Sequence, residues 1–131
     1  MRKENIMALK IIIGTRMGKG EAIKAGAEKA FKEAGVEGTA ICIPGMAADM
    51  RLGAVIKQEN ADLGISQCGS GGAGAITAST MLGWKQKSQI DSADGAATAV
   101  HEGYRLIGMR FNDTEEVGYK IARALIEESS K

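Results

Sequence analysis

A cysteine stands directly before the most glycine-rich stretch of the chain. The six residues that follow Cys68 are all glycine, serine or alanine, and we call Cys68 to Gly74 the Cys68 loop. Glycines allow the backbone to approach a ligand closely. Free N–H groups at the start of a following helix favour an anion there, and the same dipole favours thiolate over thiol. We therefore expect an anion-binding loop with an activated thiol beside it.

Two other interpretations of these glycines stay open. They can serve only tight packing of a helix on a sheet, with Cys68 as a small core residue. Alternatively, Gly69, Gly71 and Gly74 satisfy the dinucleotide pattern G-x-G-x-x-G, and Asp91 follows Gly71 by 20 residues. The pattern is weak here because the loop follows the third expected strand rather than the first, and only two strands come after it.

Strand-like and helix-like segments alternate along the whole chain. The expected strands are Leu9–Ile13, Thr39–Ile43, Asp62–Gln67, Trp84–Ile90 and Tyr104–Met109. The expected helices are Glu21–Ala34, Asp49–Glu59, Gly72–Met81, Asp91–Glu102 and a last one capped by Asp113 or Thr114. This order predicts an α/β three-layer sandwich, with a five-stranded parallel sheet and helices on both faces. Residues 8–131 would form the single domain, after a flexible tail at residues 1–7.

Composition narrows the classes of function. The chain has 131 residues, with 17 Lys plus Arg against 16 Asp plus Glu, and only 4% aromatics. We therefore expect no nucleic-acid binding and no membrane insertion. Cys42 and Cys68 show no metal-ligand spacing, so we expect no metal site and no cofactor. The chain has no disulfide framework and no recognisable signal peptide, which is compatible with a cytoplasmic protein.

Ligands of parallel α/β sheets bind beyond the carboxyl ends of the strands. That rule selects the segments 14–20, 44–49, 68–74 and 91–94. In the first of these, Arg16 is a candidate anion contact, although a solvated charge is the common alternative. Asp91 can equally cap the helix that follows it. His101, the only histidine, can be a general acid or an anion contact, or simply a solvent-facing side chain.

The segment from Ala61 to Ile76 resembles the defining segment of the glycine-rich SFCGS family of bacteria, with Gln67 in place of the family's phenylalanine. More distantly, it resembles the B-type ribose-5-phosphate isomerases and galactose-6-phosphate isomerases, which have a Rossmann-like fold. That resemblance implies that Cys68 is the base in a proton transfer. It implies that Ser70, with the amides of Gly71 and Gly72, stabilises the enediolate. It also implies a homo-oligomer.

Further matches and departures concern other loops. Val100-His101-Glu102 and Ile107-Gly108-Met109-Arg110 are similar to isomerase segments, which adds His101 and Arg110 to the candidates. After the first strand, Thr15-Arg16-Met17-Gly18 replaces the isomerases' Ser-Asp-His-Ala. Ile90 stands where they have the histidine that opens the sugar ring. The resemblance thus implies the thiol and its loop without the ring-opening groups.

Together these observations predict a protein that binds a small anionic metabolite, a phosphorylated sugar or sugar acid, at the Cys68 loop. The sharper form is an isomerase or epimerase, and the alternatives are a non-catalytic binding or assembly protein and a dinucleotide-binding protein. The expected catalytic residues are Cys68, Ser70 and His101. The expected ligand-binding residues are Gly69, Gly71, Gly72, Gly74, Asp91, Arg16 and Arg110.

Overall fold

Five short segments pair into one parallel sheet in the part of the chain that the computed structural model describes, residues 8–17 and 20–131. The strands are β1 (Ala8–Thr15), β2 (Glu37–Cys42), β3 (Leu63–Gln67), β4 (Gln86–Ile90) and β5 (Leu106–Met109). Their order is β2-β1-β3-β5-β4, and every neighbouring pair is parallel. The predicted α/β fold with a five-stranded parallel sheet is therefore confirmed. The tail predicted at residues 1–7 lies outside the described residues.

Helices cover both faces of this sheet. They are α1 (Glu21–Ala34), α2 (Leu52–Glu59), α3 (Ala73–Leu82), α4 (Ala93–His101) and α5 (Glu115–Ser129). Side chains alternate between two cores, because successive residues of a strand point to opposite faces. Ile11 and Ile13 of β1 pack with α1, α4 and α5, whereas Ile12 packs with α2 and α3. No helix in the described ranges is long and apolar enough to cross a membrane.

Helix starts differ from the sequence prediction at two places. The helix expected from Asp49 begins instead as a 3-10 turn, Ala48–Arg51, before α2. Asp91 does not cap α4, because the Ser92 hydroxyl accepts the hydrogen bond from the Gly95 amide at 2.9 Å. Thr114, rather than Asp113, caps α5 by accepting from the Val117 amide.

The first and last helices are held together at their backbones. A Cβ atom on Gly118 of α5 would lie 1.8 Å from the Ile23 carbonyl oxygen, and one on Gly26 of α1 would lie 1.9 Å from the Glu115 carbonyl oxygen. The Asp113 carboxylate also accepts from the Ile23 amide at 3.2 Å, in the first turn of α1. These contacts fix the loop after β5 against the start of α1, next to the carboxyl end of β1.

Candidate active site at the carboxyl end of the sheet

The Cys68 loop connects β3 to α3, as predicted. Gly71 and Gly72 have positive φ angles of 96° and 122°, which disfavour any residue with a side chain. A Cβ on Gly72 would also come within 2.5 Å of the Gly108 Cα, and one on Gly74 within 2.3 Å of the Asp49 carbonyl oxygen. Close packing therefore accounts for these glycines. Only the first two residues after Cys68, Gly69 and Ser70, are exposed in this loop up to Gly72.

The amides of the loop point at the sulfur of Cys68 itself. The Gly72 amide donates to Cys68 Sγ at 3.3 Å, and the Ser70 hydroxyl lies 3.1 Å from the same atom. The Gly71 amide donates to the Cys68 carbonyl oxygen at 3.1 Å. The expectation that the Gly71 and Gly72 amides face an external oxyanion is therefore not met in this structure. Both amides are engaged by Cys68.

These contacts set the ionisation of the thiol. Burial is the largest influence and by itself raises the pKa of Cys68, whose residue is only 3% exposed. The Ser70 hydroxyl and the amides of Ala73, Gly72 and Ser70 together outweigh burial and lower the pKa from 9.0 to about 7. Cys42 shows the opposite behaviour, since burial and the Glu21 carboxylate raise its pKa to about 12. Near neutral pH only Cys68 has substantial thiolate.

Two arginines flank the strand that carries Cys68. Arg16 follows β1 and Arg110 follows β5, and these strands are the two neighbours of β3 in the sheet. The Arg16 amide donates to the Gln67 carbonyl oxygen at 2.8 Å, and the Cys68 amide donates to the Met109 carbonyl oxygen at 3.1 Å. The structure therefore brings both predicted arginines to the edge of the sheet where the thiol lies.

Asp49 holds the side chain of Arg16 in place. Its carboxylate is fully buried, and Arg16 Nη2 donates to Asp49 Oδ2 at 3.0 Å while the Arg16 side chain remains 43% exposed. A second bond, from the Ala47 amide to the Arg16 carbonyl oxygen at 2.7 Å, ties the same two loops together. In the sequence, Asp49 stands out only as the expected first residue of a helix. In the structure, the Asp49 carboxylate is buried and paired with the half-exposed Arg16.

Two predicted site residues lie elsewhere. His101 ends α4, which leads into the amino end of β5, whereas Cys68 lies at the carboxyl end of the neighbouring β3. His101 Nδ1 is 2.7 Å from the Glu128 carboxylate on α5. Asp91 is exposed after β4, the edge strand, and β5 separates β4 from β3. In the dinucleotide fold the acidic residue follows the strand next to the glycine loop, so this spacing of Asp91 does not reproduce that site.

A set of buried polar atoms near the carboxyl ends of β1 and β3 was not predicted from the sequence. Among the described residues, four side chains are buried and have a polar atom without a hydrogen-bond partner: Thr15, Asp49, Ser66 and Gln67. Ser66 and Gln67 directly precede Cys68 in an otherwise apolar strand, which is the only signal the sequence offers. Such atoms are rare in folded proteins, so each of them is a candidate contact for a ligand or a water molecule.

Thr15 and Gln67 line a cavity of about 380 Å³ together with Met17, Phe111 and Asp113. A larger cavity of about 500 Å³ lies near Leu9, Phe31 and Gly38, where β1 and β2 begin. That cavity is at the end of the sheet away from Cys68. The smaller one is therefore the cavity relevant to the thiol.

The fold is similar to that of solved structures of known proteins. The type B ribose 5-phosphate isomerase of Trypanosoma brucei superposes with a TM-score of 0.63 at 22% identity, covering 92% of this chain and 87% of that one. The corresponding enzyme of Trypanosoma cruzi gives a TM-score of 0.66 at 17% identity, covering 87% and 84%. Ribose-5-phosphate isomerase B of Mycoplasma genitalium, solved with bound ribulose-5-phosphate, gives 0.60 at 18% identity, covering 92% and 85%. At these identities the likeness shows a shared fold.

The family of the chain follows from its sequence rather than from its fold. No curated protein sequence matches this chain. The model of the family described as Glycine-rich SFCGS matches residues 9–128. That range contains the Cys68 loop, the strands on either side of it and both flanking arginines. The chain is therefore a member of the glycine-rich SFCGS family.

Proposed function

We propose that this protein binds a small anionic sugar derivative at the carboxyl end of β3 and moves a proton between adjacent carbons of it, with Cys68 as the base. The observation that carries the proposal is the thiol held by the Ser70 hydroxyl and the loop amides, with a pKa of about 7. A base that operates near neutral pH needs such a value. Arg16 and Arg110, on either side, supply positive charge for the anionic group.

The same donors would serve two negative charges in turn. The Cys68 thiolate removes the proton from the carbon next to a carbonyl, which gives an enediolate and a neutral thiol. The thiol no longer needs its charge-assisted hydrogen bonds, so the exposed Ser70 hydroxyl becomes free to donate to the new oxyanion. A proton then passes from the neighbouring hydroxyl to this oxyanion, and return of the proton from Cys68 to the adjacent carbon completes the isomerisation without any net oxidation or reduction. Epimerisation results instead if a proton from solvent reaches the original carbon on the other face.

The departures from the isomerases restrict the substrate under this proposal. Ile90 stands at the position of their ring-opening histidine, and its backbone carbonyl accepts from the Arg110 amide at 2.9 Å. An apolar side chain there cannot protonate a ring oxygen. We therefore expect activity on compounds that already carry a free carbonyl, such as open-chain sugar phosphates and keto sugar acids, rather than on closed rings.

Proton exchange with solvent tests the proposal directly. The wild type, Cys68→Ala and the matched control Cys42→Ala would be incubated in D₂O with open-chain sugar phosphates and keto sugar acids. NMR would follow deuterium entering at the carbon next to the carbonyl. We expect exchange in the wild type and in Cys42→Ala, and none in Cys68→Ala. Exchange that persists unchanged in Cys68→Ala would contradict the assignment of the base.

A non-catalytic binding protein is the second candidate. The observation that favours it is the position of His101 at the opposite end of the sheet, which leaves Cys68 without a second acid–base side chain from those predicted. In a homo-oligomer, which we also propose, a second copy could supply one, and light scattering would determine the number of subunits. Thermal stabilisation by a phosphorylated ligand, equal in wild type and Cys68→Ala and without any exchange, would establish this second candidate.

A further inference from the structure

The cavity above Thr15 and Gln67 has a polar floor and apolar walls. The two floor residues are paired across β1 and β3, and each is only 1% exposed. The walls include Met17 and Phe111, whose side chains are 50% and 53% exposed. We call this cavity of about 380 Å³ the Thr15–Gln67 pocket. Small-molecule sites commonly have this size, mostly apolar walls and a few polar groups.

The floor of the pocket lacks hydrogen-bond partners from the protein. Neither the Thr15 hydroxyl oxygen nor the Gln67 side-chain nitrogen has one among the described residues. Leaving a buried polar group unsatisfied costs stability, and an apolar residue of similar size would avoid that cost. The glutamine is therefore disfavoured by folding alone, which indicates that an external group completes its hydrogen bonding.

The charges around the pocket argue against an anion as that group. Asp113 contributes a carboxylate to the lining, and no arginine or lysine is among the lining residues that the structure describes. Arg16 lies between Thr15 and Met17 in sequence, but its guanidinium binds Asp49, which lies beside Gly14 and Gly74 on the α2–α3 side of the sheet. The Arg16 guanidinium therefore belongs to a neighbouring part of the site rather than to this pocket.

Hydroxyl groups on a carbon chain match the lining. A hydroxyl can accept from the Gln67 amide and donate to the Asp113 carboxylate, because it is both donor and acceptor. The C–H face of such a chain can pack on the Phe111 ring. The pocket also lies beside the Cys68 loop, since a Cβ on Gly69 would lie 3.3 Å from the Phe111 ring.

We propose that the Thr15–Gln67 pocket binds the neutral, hydroxyl-bearing carbon chain of the ligand and that Gln67 selects for its hydroxyl groups. The proposal rests on the proposed function only in placing the reactive carbon of that ligand beside Cys68. Binding of a neutral polyol in the pocket requires neither catalysis nor an anionic group. The substrate class is then a polyhydroxylated chain whose charged end lies outside this pocket.

Binding measurements with and without the charged group test this. The probes are ribitol, ribitol 5-phosphate and inorganic phosphate, and the variants are Gln67→Met and Thr15→Val, which keep side-chain volume and remove the hydrogen-bonding groups. Gln58→Met and Thr98→Val, on exposed positions of α2 and α4, are the matched controls. Calorimetry gives affinities, and the methyl signal of Met17 together with the Gln67 side-chain amide signals reports occupancy by NMR.

We expect ribitol to shift the Met17 and Gln67 signals, and Gln67→Met to weaken ribitol 5-phosphate binding by about tenfold or more. Affinity for inorganic phosphate should stay within about twofold in both pocket variants, because an adjacent site holds it. The free Gln67→Met protein should be as stable as the wild type or more stable, since the unpartnered nitrogen is gone. The control variants should bind all three probes as the wild type does.

Two results would overturn the pocket assignment. One is the absence of any shift at Met17 or Gln67 with ribitol and with ribitol 5-phosphate. The other is a Gln67→Met protein that is destabilised in the free state and binds ribitol 5-phosphate with unchanged affinity, which would make Gln67 a structural residue. Failure of the proposed function looks different: ribitol binds in the pocket, but inorganic phosphate does not bind and no proton exchange occurs.

Discussion

Removal of the Ser70 hydroxyl should raise the pKa of the Cys68 thiol. That hydroxyl lies 3.1 Å from Sγ and is the largest of the influences that lower the pKa to about 7. A hydrogen bond to a charged group contributes about 1.5–3 kcal/mol, equivalent to one or two pKa units. Ser70 is exposed, so water replaces part of the lost interaction. We therefore expect Ser70→Ala to raise the pKa by roughly one unit.

The assay is the ultraviolet absorbance of the thiolate as a function of pH, together with the rate of alkylation by iodoacetamide. Cys42 provides an internal check, because its pKa of about 12 keeps it protonated where Cys68 titrates. Ser129→Ala, at an exposed position near the end of α5, is the matched control. A wild-type transition at the ordinary thiol pKa, or identical titrations of wild type and Ser70→Ala, would refute the assigned role of the loop.

Three further predictions concern the pH dependence of stability, the contact between α1 and α5, and His101. The free energy of unfolding of the wild type, relative to that of Cys68→Ala, should rise by at most about 3 kcal/mol between pH 7 and pH 9. The reason is that the pKa of Cys68 is about 7 in the folded protein, below its ordinary value of 9.0. Denaturant titrations at several pH values measure this difference. Gly118→Ala should cost about 1–3 kcal/mol or more by the same measurement, because its Cβ would overlap the Ile23 carbonyl. His101→Ala should leave the Cys68 alkylation profile unchanged, since its partners are Glu127 and Glu128 on α5.

Most of the fold was predictable because it depends on local patterns. The apolar stripe of Glu21–Ala34 and the glycine that follows it, Gly35, predict α1, and the structure confirms these bounds. The edge strand β4 was harder, since only Ile90 of Gln86–Ile90 is buried and its pairing with β5 is irregular between Lys87 and Ile90. The order of the strands in the sheet depends on which helices pack together, and no single segment carries that information.

The candidate site was predictable only where one segment carries it. The glycines after a strand located the thiol, and the position after β1 located Arg16. The pairing of Thr15 with Gln67 depends on the register between β1 and β3, which are far apart in sequence. His101 was assigned because Val100-His101-Glu102 is similar to an isomerase segment. The helix that carries it runs back to the amino end of the sheet, so within one chain His101 lies far from the loop that carries the thiol.

Cys68 itself engages the amides of its loop. This affects how the candidate active site could work with few ionisable groups. An amide that donates to the thiolate at 3.3 Å cannot also serve an external anion fully, so an empty loop stabilises the base rather than attracting a competing ion. Proton transfer to the sulfur removes the charge that engaged these donors. Under the proposed function, the exposed Ser70 hydroxyl then turns to the oxyanion that forms beside it. Replacement of Ser70 would therefore impair both the base and the stabilisation of the intermediate, whereas loss of Arg16 or Arg110 would weaken binding of the anionic group alone.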